Sequence, residues 1–159
     1  MKVTIIAVGK IKEKYFKDAI LEYSKRLSRY CKLEIIEVMD KEIPDKLNES
    51  IEEDIKRKEA VEILNRIKAG SVTIALDIKG DMWDSCELSK RIGDYCLQGN
   101  SHITFIIGGS LGLHKDILNR VDKRLSFSNM TFPHKLMRVI LLEQVYRSFK
   151  ILNGETYHK

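Results

Sequence analysis

Side chains with the chemistry of an active site are concentrated near the end of the chain. Glu143 and Arg147 lie four positions apart in a segment with helical periodicity, in the order that favours an ion pair on a helix. Farther on come Tyr157 and His158, an amphipathic aromatic ring and a side chain that titrates near neutral pH. His158 could therefore exchange a proton with a ligand. The alternative is a disordered end, because chain termini are commonly poorly ordered.

A glycine-rich turn with the sequence IIGGSLG is a second place where a ligand could bind. Gly108 and Gly109 directly follow an apolar run, and glycine lets a backbone approach a ligand closely and adopt positive φ. Gly112 adds further freedom. The pattern is neither GxGxxG nor a P-loop, so conventional dinucleotide and nucleoside triphosphate sites lose support. A purely structural turn is the alternative, since glycine also serves tight turns.

The segment 127–132, which precedes Pro133, is the third candidate. It mixes hydroxyl groups, an amide and apolar side chains. Its backbone can offer donors and acceptors to the edge of an adenine while a Phe or Met packs against the ring. The alternative is an ordinary loop in which Ser128 and Asn129 form turn hydrogen bonds.

Five apolar runs predict the strands that must hold these segments in place. The runs cover residues 3–8, 33–39, 72–78, 103–107 and 125–127. The intervening patterns predict helices with recognisable ends. The first helix is expected near residues 16–30, and the second begins at a Ser50–Glu53 capping box and ends at Gly70. The third is capped by Asp84 or Ser85. A short fourth helix begins at Lys115, and a long fifth helix covers residues 135–152.

Strands and helices alternate along the whole chain, which is typical of an α/β fold with a mostly parallel sheet flanked by helices. Ligands of open α/β sheets bind beyond the carboxyl ends of the strands. The loops after the third, fourth and fifth strands are therefore the expected site. No linker or repeat divides the sequence, so we expect a single domain over residues 1–159.

The last predicted helix carries apolar residues at helical spacing and charged residues between them. The apolar set, expected in a core or an interface, is Leu136, Ile140, Val145, Phe149 and Leu152. His134 and Arg138 lie near the start of this helix. We expect both to be exposed, because charged side chains are rarely buried unless they are paired.

Composition limits the class of protein and its partners. The 159 residues are 43% apolar and 32% charged, as in one globular domain, and the net charge of +5 favours a polyanionic partner. Cys31, Cys86 and Cys96 form no metal-binding pattern, so reduced, structural thiols and no metal are expected. No apolar run approaches the roughly 20 residues of a membrane span, and no signal peptide begins the chain. We therefore expect a cytoplasmic protein and no membrane partner.

Several segments in order resemble one family. They are AVGK, ALDIKG, DSCELS, FIIGGSLGL, FSNMTFPHKLMRVILLEQVYRSF and the closing YH. With these motifs the chain resembles, from end to end, the RlmH-type ribosomal RNA large-subunit pseudouridine N3 methyltransferases of the SPOUT class. The charged segment 41–68 carries no motif that can be matched to the family.

The resemblance implies a fold and a cofactor. The C-terminal part, about residues 72–159, would form a trefoil knot whose loops bind S-adenosyl-L-methionine, and the protein would be a homodimer. The cofactor-binding positions carried over to this sequence are Leu76, Gly108, Phe127, Ser128, Asn129, Met130, Thr131 and Phe132.

The resemblance also implies a reaction, methyl transfer to N3 of a pseudouridine in ribosomal RNA within the assembled ribosome. His158 is then the expected base or proton relay, Tyr157 a positioning group, and Arg147 a partner for phosphate or developing negative charge. No metal is required. Two alternatives remain at this point, a ribosome-associated factor without activity and a SPOUT methyltransferase that modifies another RNA, such as transfer RNA.

Overall fold

The computed structural model describes residues 1–158 and contains five strands and five helices within them. The strands are β1 (Lys2–Val8), β2 (Lys32–Val38), β3 (Val72–Met82), β4 (His102–Ile107) and β5 (Lys123–Ser126). The helices are α1 (Lys14–Leu27), α2 (Glu49–Arg66), α3 (Ser85–Leu97), α4 (Lys115–Leu118) and α5 (His134–Leu152). Every strand pair is parallel, and the sheet order is β2-β1-β4-β3-β5. The predicted α/β class is confirmed.

Two apolar cores lie on opposite faces of the sheet. On one face, α1, α3 and α5 pack against alternate residues of β1 and β4, including Ile5 and Phe105. On the other face, α2 and α4 pack against Ile6 and Ile106, which are the residues between. The central strands are therefore buried on both sides, which explains why they read as continuous apolar runs.

The sheet order brings three strand ends together. β3 lies between β4 and β5, so the carboxyl ends of all three are neighbours at one edge of the sheet. Leu125 pairs first with Leu76 and then with Asp81, because residues 77–80 of β3 form an irregular excursion. Gly80 permits this excursion, since a Cβ there would lie 2.6 Å from the carbonyl carbon of Arg124. The loops expected to bind a ligand therefore meet at one place.

Two local expectations need correction. The capping box of Ser50 and Glu53 was wrong, because α2 begins two residues earlier than that box requires and the side chain of Asn48 accepts a hydrogen bond from the Ile51 N–H at 2.9 Å. The predicted end of this helix at Gly70 was also wrong, because α2 ends at Arg66. Asp84, one of the two predicted caps of α3, accepts from the Glu87 N–H at 2.7 Å. Asn and Asp are both strong caps, so sequence preference alone leaves the choice of position open.

The trefoil knot that the resemblance implies for the C-terminal part of the chain stays a prediction.

None of the helices within residues 1–158 is long and apolar enough to cross a membrane. The same residues contain no group of three or more His, Cys, Asp or Glu side chains placed to hold a metal ion.

Candidate active site

The turn after β4 is shaped by close contact between backbone segments. A Cβ on Gly108 would lie 2.9 Å from the carbonyl carbon of Gly112, so this position needs glycine. Gly112 adopts φ +82° and donates a hydrogen bond from its N–H to the Gly109 carbonyl at 3.1 Å. Gly108 and Gly109 do not have positive φ, so that part of the prediction was wrong. The glycines let the turn fold back so that Gly108 packs against Gly112 and is buried.

The loop after β5 combines internal turn bonds with unused backbone groups. Ser126 Oγ donates to the Ser128 carbonyl, and Ser128 Oγ accepts from the Met130 N–H, both at 3.0 Å. Within residues 1–158, the backbone groups of Thr131 and Phe132 take part in no hydrogen bond. The side chain of Met130 is 74% exposed. The loop therefore keeps free donors, acceptors and apolar side chains at the edge where the three strands end.

The residues at the end of the chain are docked rather than frayed. Tyr157 Oη donates to Glu143 Oε1 at 3.2 Å, and the Arg147 guanidinium lies 4.7 Å from the centre of the Tyr157 ring. Arg147 Nε donates to the same Glu143 oxygen at 3.0 Å. The ring of Tyr146 packs edge-on against Tyr157 at 5.0 Å between ring centres. The alternative of a disordered end is therefore wrong up to His158.

His158 lies between an arginine and a cysteine. Its Nδ1 is 3.3 Å from Arg147 Nη1, and its Nε2 is 3.6 Å from Cys86 Sγ. A guanidinium has only donors, so Nδ1 must accept in this contact. The matching tautomer is a neutral ring with its proton on Nε2, toward Cys86. A neutral imidazole is the form that can take up a proton.

Tyr157 and Arg147 are held in fixed protonation states. Burial, assisted by the charge of Glu143, raises the pKa of Tyr157 to about 12, so its phenol stays protonated at neutral pH. The hydrogen bonds that Arg147 donates to Glu143 raise the pKa of Arg147, so the guanidinium stays charged. Tyr157 thus acts as a donor and a packing surface, not as a base.

A hydrogen-bonded chain links this tail cluster, which we define as Glu143, Arg147, Tyr157 and His158, to the start of α3. Gln144 Nε2 donates to Glu143 Oε2 at 2.7 Å, and Ser85 Oγ donates to Gln144 Oε1 at 2.7 Å. Sequence reasoning missed Ser85 and Gln144 as site residues. They are 59 positions apart in the sequence, and no local spacing rule connects them.

A pocket of about 270 Å³ opens beside this chain, between the start of α3 and the middle of α5. Its walls are Trp83, Asp84, Ser85, Leu88, Leu125, Phe127 and Gln144. Phe127 belongs to the predicted cofactor loop, and Gln144 contacts the tail cluster. The pocket therefore lies between two groups of residues that the sequence singled out separately.

The start of α5 contains a charged residue that was expected at the surface. Arg138 is only 1% exposed, and it donates to Glu37 Oε1 at 2.7 Å and to the Gly9 carbonyl at 2.9 Å. The expectation was wrong because α5 begins directly over the carboxyl end of β1. His134 is half-buried, and burial is the main cause that lowers its pKa. This end of α5 ties the helix to the sheet.

The three cysteines are free, but their environments differ. Cys31 is buried, and desolvation raises the pKa of its thiol to about 11, as expected of a structural thiol. Cys86 and Cys96 are exposed, so the expectation of structural thiols was wrong for these two.

Comparisons with known proteins agree with this arrangement. A family model described as "Predicted SPOUT methyltransferase" matches residues 1–158. Proteins named "Ribosomal RNA large subunit methyltransferase H" from Acetivibrio thermocellus and Clostridium novyi are 57% and 59% identical over 159 residues, which is all of this chain and all of each relative. A solved structure, "a probable methylase family protein" from Haemophilus influenzae, is 11% identical with a TM-score of 0.56. It covers 99% of this chain and 70% of its own, and it supports the fold alone.

Proposed function

The chain belongs to the SPOUT methyltransferase family, and on this premise we propose that it transfers a methyl group from S-adenosyl-L-methionine to N3 of a pseudouridine in large-subunit ribosomal RNA. Relatives that match from end to end carry the name of a large-subunit ribosomal RNA methyltransferase, which supports the class of RNA. The observation that carries the proposal is the docked tail, which gathers Arg147, Tyr157 and His158 in one cluster. The protein would act on assembled ribosomes in the cytoplasm.

The loops at the ends of β3, β4 and β5 fit the cofactor. The free backbone groups of Thr131 and Phe132 suit the edge of an adenine, and Met130 and Phe132 are exposed apolar side chains that can cover its ring. Gly108 brings the backbone of the β4 turn close to the same edge of the sheet. We assign the cofactor to the segment 72–159 and to the eight positions named from the sequence, from Leu76 to Phe132. When bound, the cofactor supplies an electrophilic sulfonium methyl group.

The tail cluster would prepare the acceptor nitrogen. An imide N3 is a weak acid, and it must lose its proton to attack a methyl group. His158 is the proposed base, because its Nδ1 lies where it can accept a hydrogen bond. RNA must first displace Arg147 from Nδ1, since that lone pair is otherwise occupied. Arg147, which Glu143 continues to hold, is then placed to stabilise the negative charge that forms on the base.

The RNA and a second copy of the chain are the proposed partners. The net charge of +5 suits an RNA surface, because each neutralised phosphate releases counterions. A homodimer is proposed from the family resemblance. No separate RNA-binding domain is needed if the shape of the ribosome contributes to recognition.

The decisive experiment uses ribosomes from a strain that lacks this activity, labelled S-adenosyl-L-methionine and mass mapping of the RNA. We expect one methyl group on N3 of a pseudouridine in the large subunit. No methyl group in any assembly state would favour an inactive ribosome-associated factor. A methyl group on transfer RNA or on another nucleotide would replace the proposed substrate.

A second experiment separates the cofactor from the tail. The demethylated cofactor should raise the melting temperature of the protein, because a ligand that binds only the folded state stabilises it. Removal of residues 157–159 should abolish methyl transfer and keep most of that rise. Thr156→Ala, an exposed neighbour, is the matched control and should leave both measurements unchanged. Unchanged turnover after the deletion would refute the role of the tail.

A further inference from the structure

We infer that the pocket between the start of α3 and the middle of α5 receives the target nucleobase of the RNA, turned out of its helix. This inference rests on the proposed function, because an enzyme that modifies a base must bring that base out of the stack. The pocket is distinct from the loop positions assigned to the cofactor. Of those eight positions, only Phe127 lines it.

The size of the pocket fits a single ring. Its volume of about 270 Å³ lies just below the roughly 300–1,000 Å³ of pockets that enclose whole small molecules. A complete S-adenosyl-L-methionine would therefore extend beyond it, whereas a pyrimidine base requires less room. Phe127 and Trp83 supply aromatic walls, and aromatic side chains are the usual stacking partners of bases that have left a helix.

The indole of Trp83 is held in place and retains an unused donor. Arg91, which is itself hydrogen-bonded to Glu87 at 2.7 Å, lies 4.3 Å from the centre of the Trp83 ring. Trp83 Nε1 is buried and has no hydrogen-bond partner within residues 1–158. A buried donor without a partner is unfavourable, so a small shift of the indole that brings this N–H to a ligand carbonyl in the pocket would remove that cost. A pyrimidine imide carries two such carbonyl groups.

The polar side of the pocket leads directly to the proposed catalytic residues. Gln144 lines the pocket and donates to Glu143, which holds both Arg147 and Tyr157. Ser85 lines it too, and the next residue, Cys86, lies 3.6 Å from His158 through its Sγ. A base in this pocket is thus flanked by the cofactor loop on one side and by the tail cluster on the other. The hydroxyl of Ser85 and the amide of Gln144 can both hydrogen-bond to an imide edge.

Substitutions in the pocket test this assignment, because they should lower kcat/KM for ribosomes and leave the binding of the cofactor unchanged. Trp83→Leu removes the stacking ring and should lower kcat/KM for ribosomes by about tenfold to a hundredfold. Trp83→Phe keeps a ring and should restore most of that loss. Gln144→Leu should lower kcat/KM by about tenfold, since it removes a hydrogen-bonding edge. In all three variants the demethylated cofactor should still raise the melting temperature as in the unmodified chain.

Gln98→Leu, at an exposed position at the end of α3, is the control for the glutamine change and should behave as the unmodified protein. Loss of the cofactor-induced rise in Trp83→Leu or Gln144→Leu would show that the pocket holds the adenine, and would overturn the inference. Equal kcat/KM in Trp83→Leu and the unmodified protein would also overturn it.

A measurement on the unmodified chain avoids any folding defect. Trp83 is the only tryptophan, so its fluorescence reports on this pocket alone. We expect little change with the demethylated cofactor, and saturable quenching when pseudouridine nucleoside is added at millimolar concentration to that complex. Strong quenching by the cofactor product, or no saturable quenching by the nucleoside, would contradict the inference. This result does not depend on turnover, so it is separable from failure of the methyl-transfer proposal.

Discussion

The two ends of α5 each carry an arginine paired with a glutamate, yet the two pairs differ in what they can do. Arg138, near the start, is 1% exposed and is bonded to Glu37 and to the Gly9 carbonyl. The Arg147 side chain, five residues before the end of the helix, is 24% exposed and is bonded to Glu143, and it contacts His158 and Tyr157. The first guanidinium is enclosed by the fold. The second is partly open to solvent. Exposure, rather than residue type or charge, separates the pair that we expect to be structural from the pair that we propose to be functional.

Loss of Arg147 should produce the largest effect on activity. Arg147→Ala removes the group proposed to stabilise negative charge, and we expect kcat to fall by about a hundredfold to a thousandfold. The melting temperature should change by only a few degrees, because the pair with Glu143 is partly solvated. Single-turnover methylation of ribosomes measures the first effect and thermal denaturation the second. Arg57→Ala, in an exposed pair with Asp54, serves as control. A large loss of stability with little loss of rate would remove the distinction between the two ends.

Loss of Arg138 should show the reverse pattern. Arg138→Met leaves the Gly9 carbonyl without this donor and removes the cation from Glu37, which still accepts from the Ile11 N–H. Because the arginine of this pair is buried, its loss should cost about 3 kcal/mol. For a chain of this size the melting temperature should fall by roughly 6–12 °C. Methyl transfer well below that temperature should stay within about threefold of the unmodified protein. If Arg138→Met kept full stability, the start of α5 would not be the structural tie inferred from its contacts.

Sequence patterns were sufficient for the architecture and for the strand-end loops. Apolar runs located β1 and β4 closely, because both strands are buried on both faces and leave a continuous signal. β3 extends to Met82, four residues beyond the predicted end, because its last part pairs with β5 after an irregular excursion at 77–80. That extension depends on pairing with residues 44 positions away, which local periodicity cannot predict. Its consequence is the position of Trp83 beside Phe127.

The contacts of the candidate site were also beyond local sequence patterns, because they join residues that are far apart in the chain. Arg138 and Arg147 occupy similar amphipathic surroundings in the sequence, so both were expected to be exposed. Only tertiary contact with Gly9, 129 positions away, buries Arg138. Tyr157 and His158 were recognised by residue type and by family resemblance, but the contact of His158 with Cys86 was not. Their sequence separation of 72 residues leaves no local signal.

Removing the charge of Glu143, which accepts hydrogen bonds from both Arg147 and Tyr157, should have an intermediate effect on the rate of methyl transfer. Glu143→Gln keeps the size of the side chain and removes the charge that holds Arg147 and Tyr157. We expect a roughly tenfold fall in kcat, with faster proteolysis near residue 155, since charge-assisted hydrogen bonds are about twice as strong as neutral ones. Glu34→Gln, in the ion pair with Lys2 at the sheet, is the control and should leave both the rate and the proteolysis unchanged. Unchanged rate and unchanged proteolysis in Glu143→Gln would mean that the tail docks without this carboxylate.

The smallest expected effect is the alkaline release of the tail. Burial and Glu143 raise the pKa of Tyr157 from 10.0 to about 12, so the docked state holds the phenolic proton more tightly than the undocked state. The stability that this proton contributes to docking is therefore complete below about pH 10 and is lost as the pH rises through about 12. The difference in absorbance at alkaline pH between the unmodified chain and Tyr157→Phe should show one tyrosine that titrates near 12. In Glu143→Gln the same difference should move toward 10, because the charge that opposes ionisation is gone. A Tyr157 that titrates near 10 in both proteins would show that the ring is not docked in solution, and the contrast between the two ends of α5 would then rest on Arg147 alone.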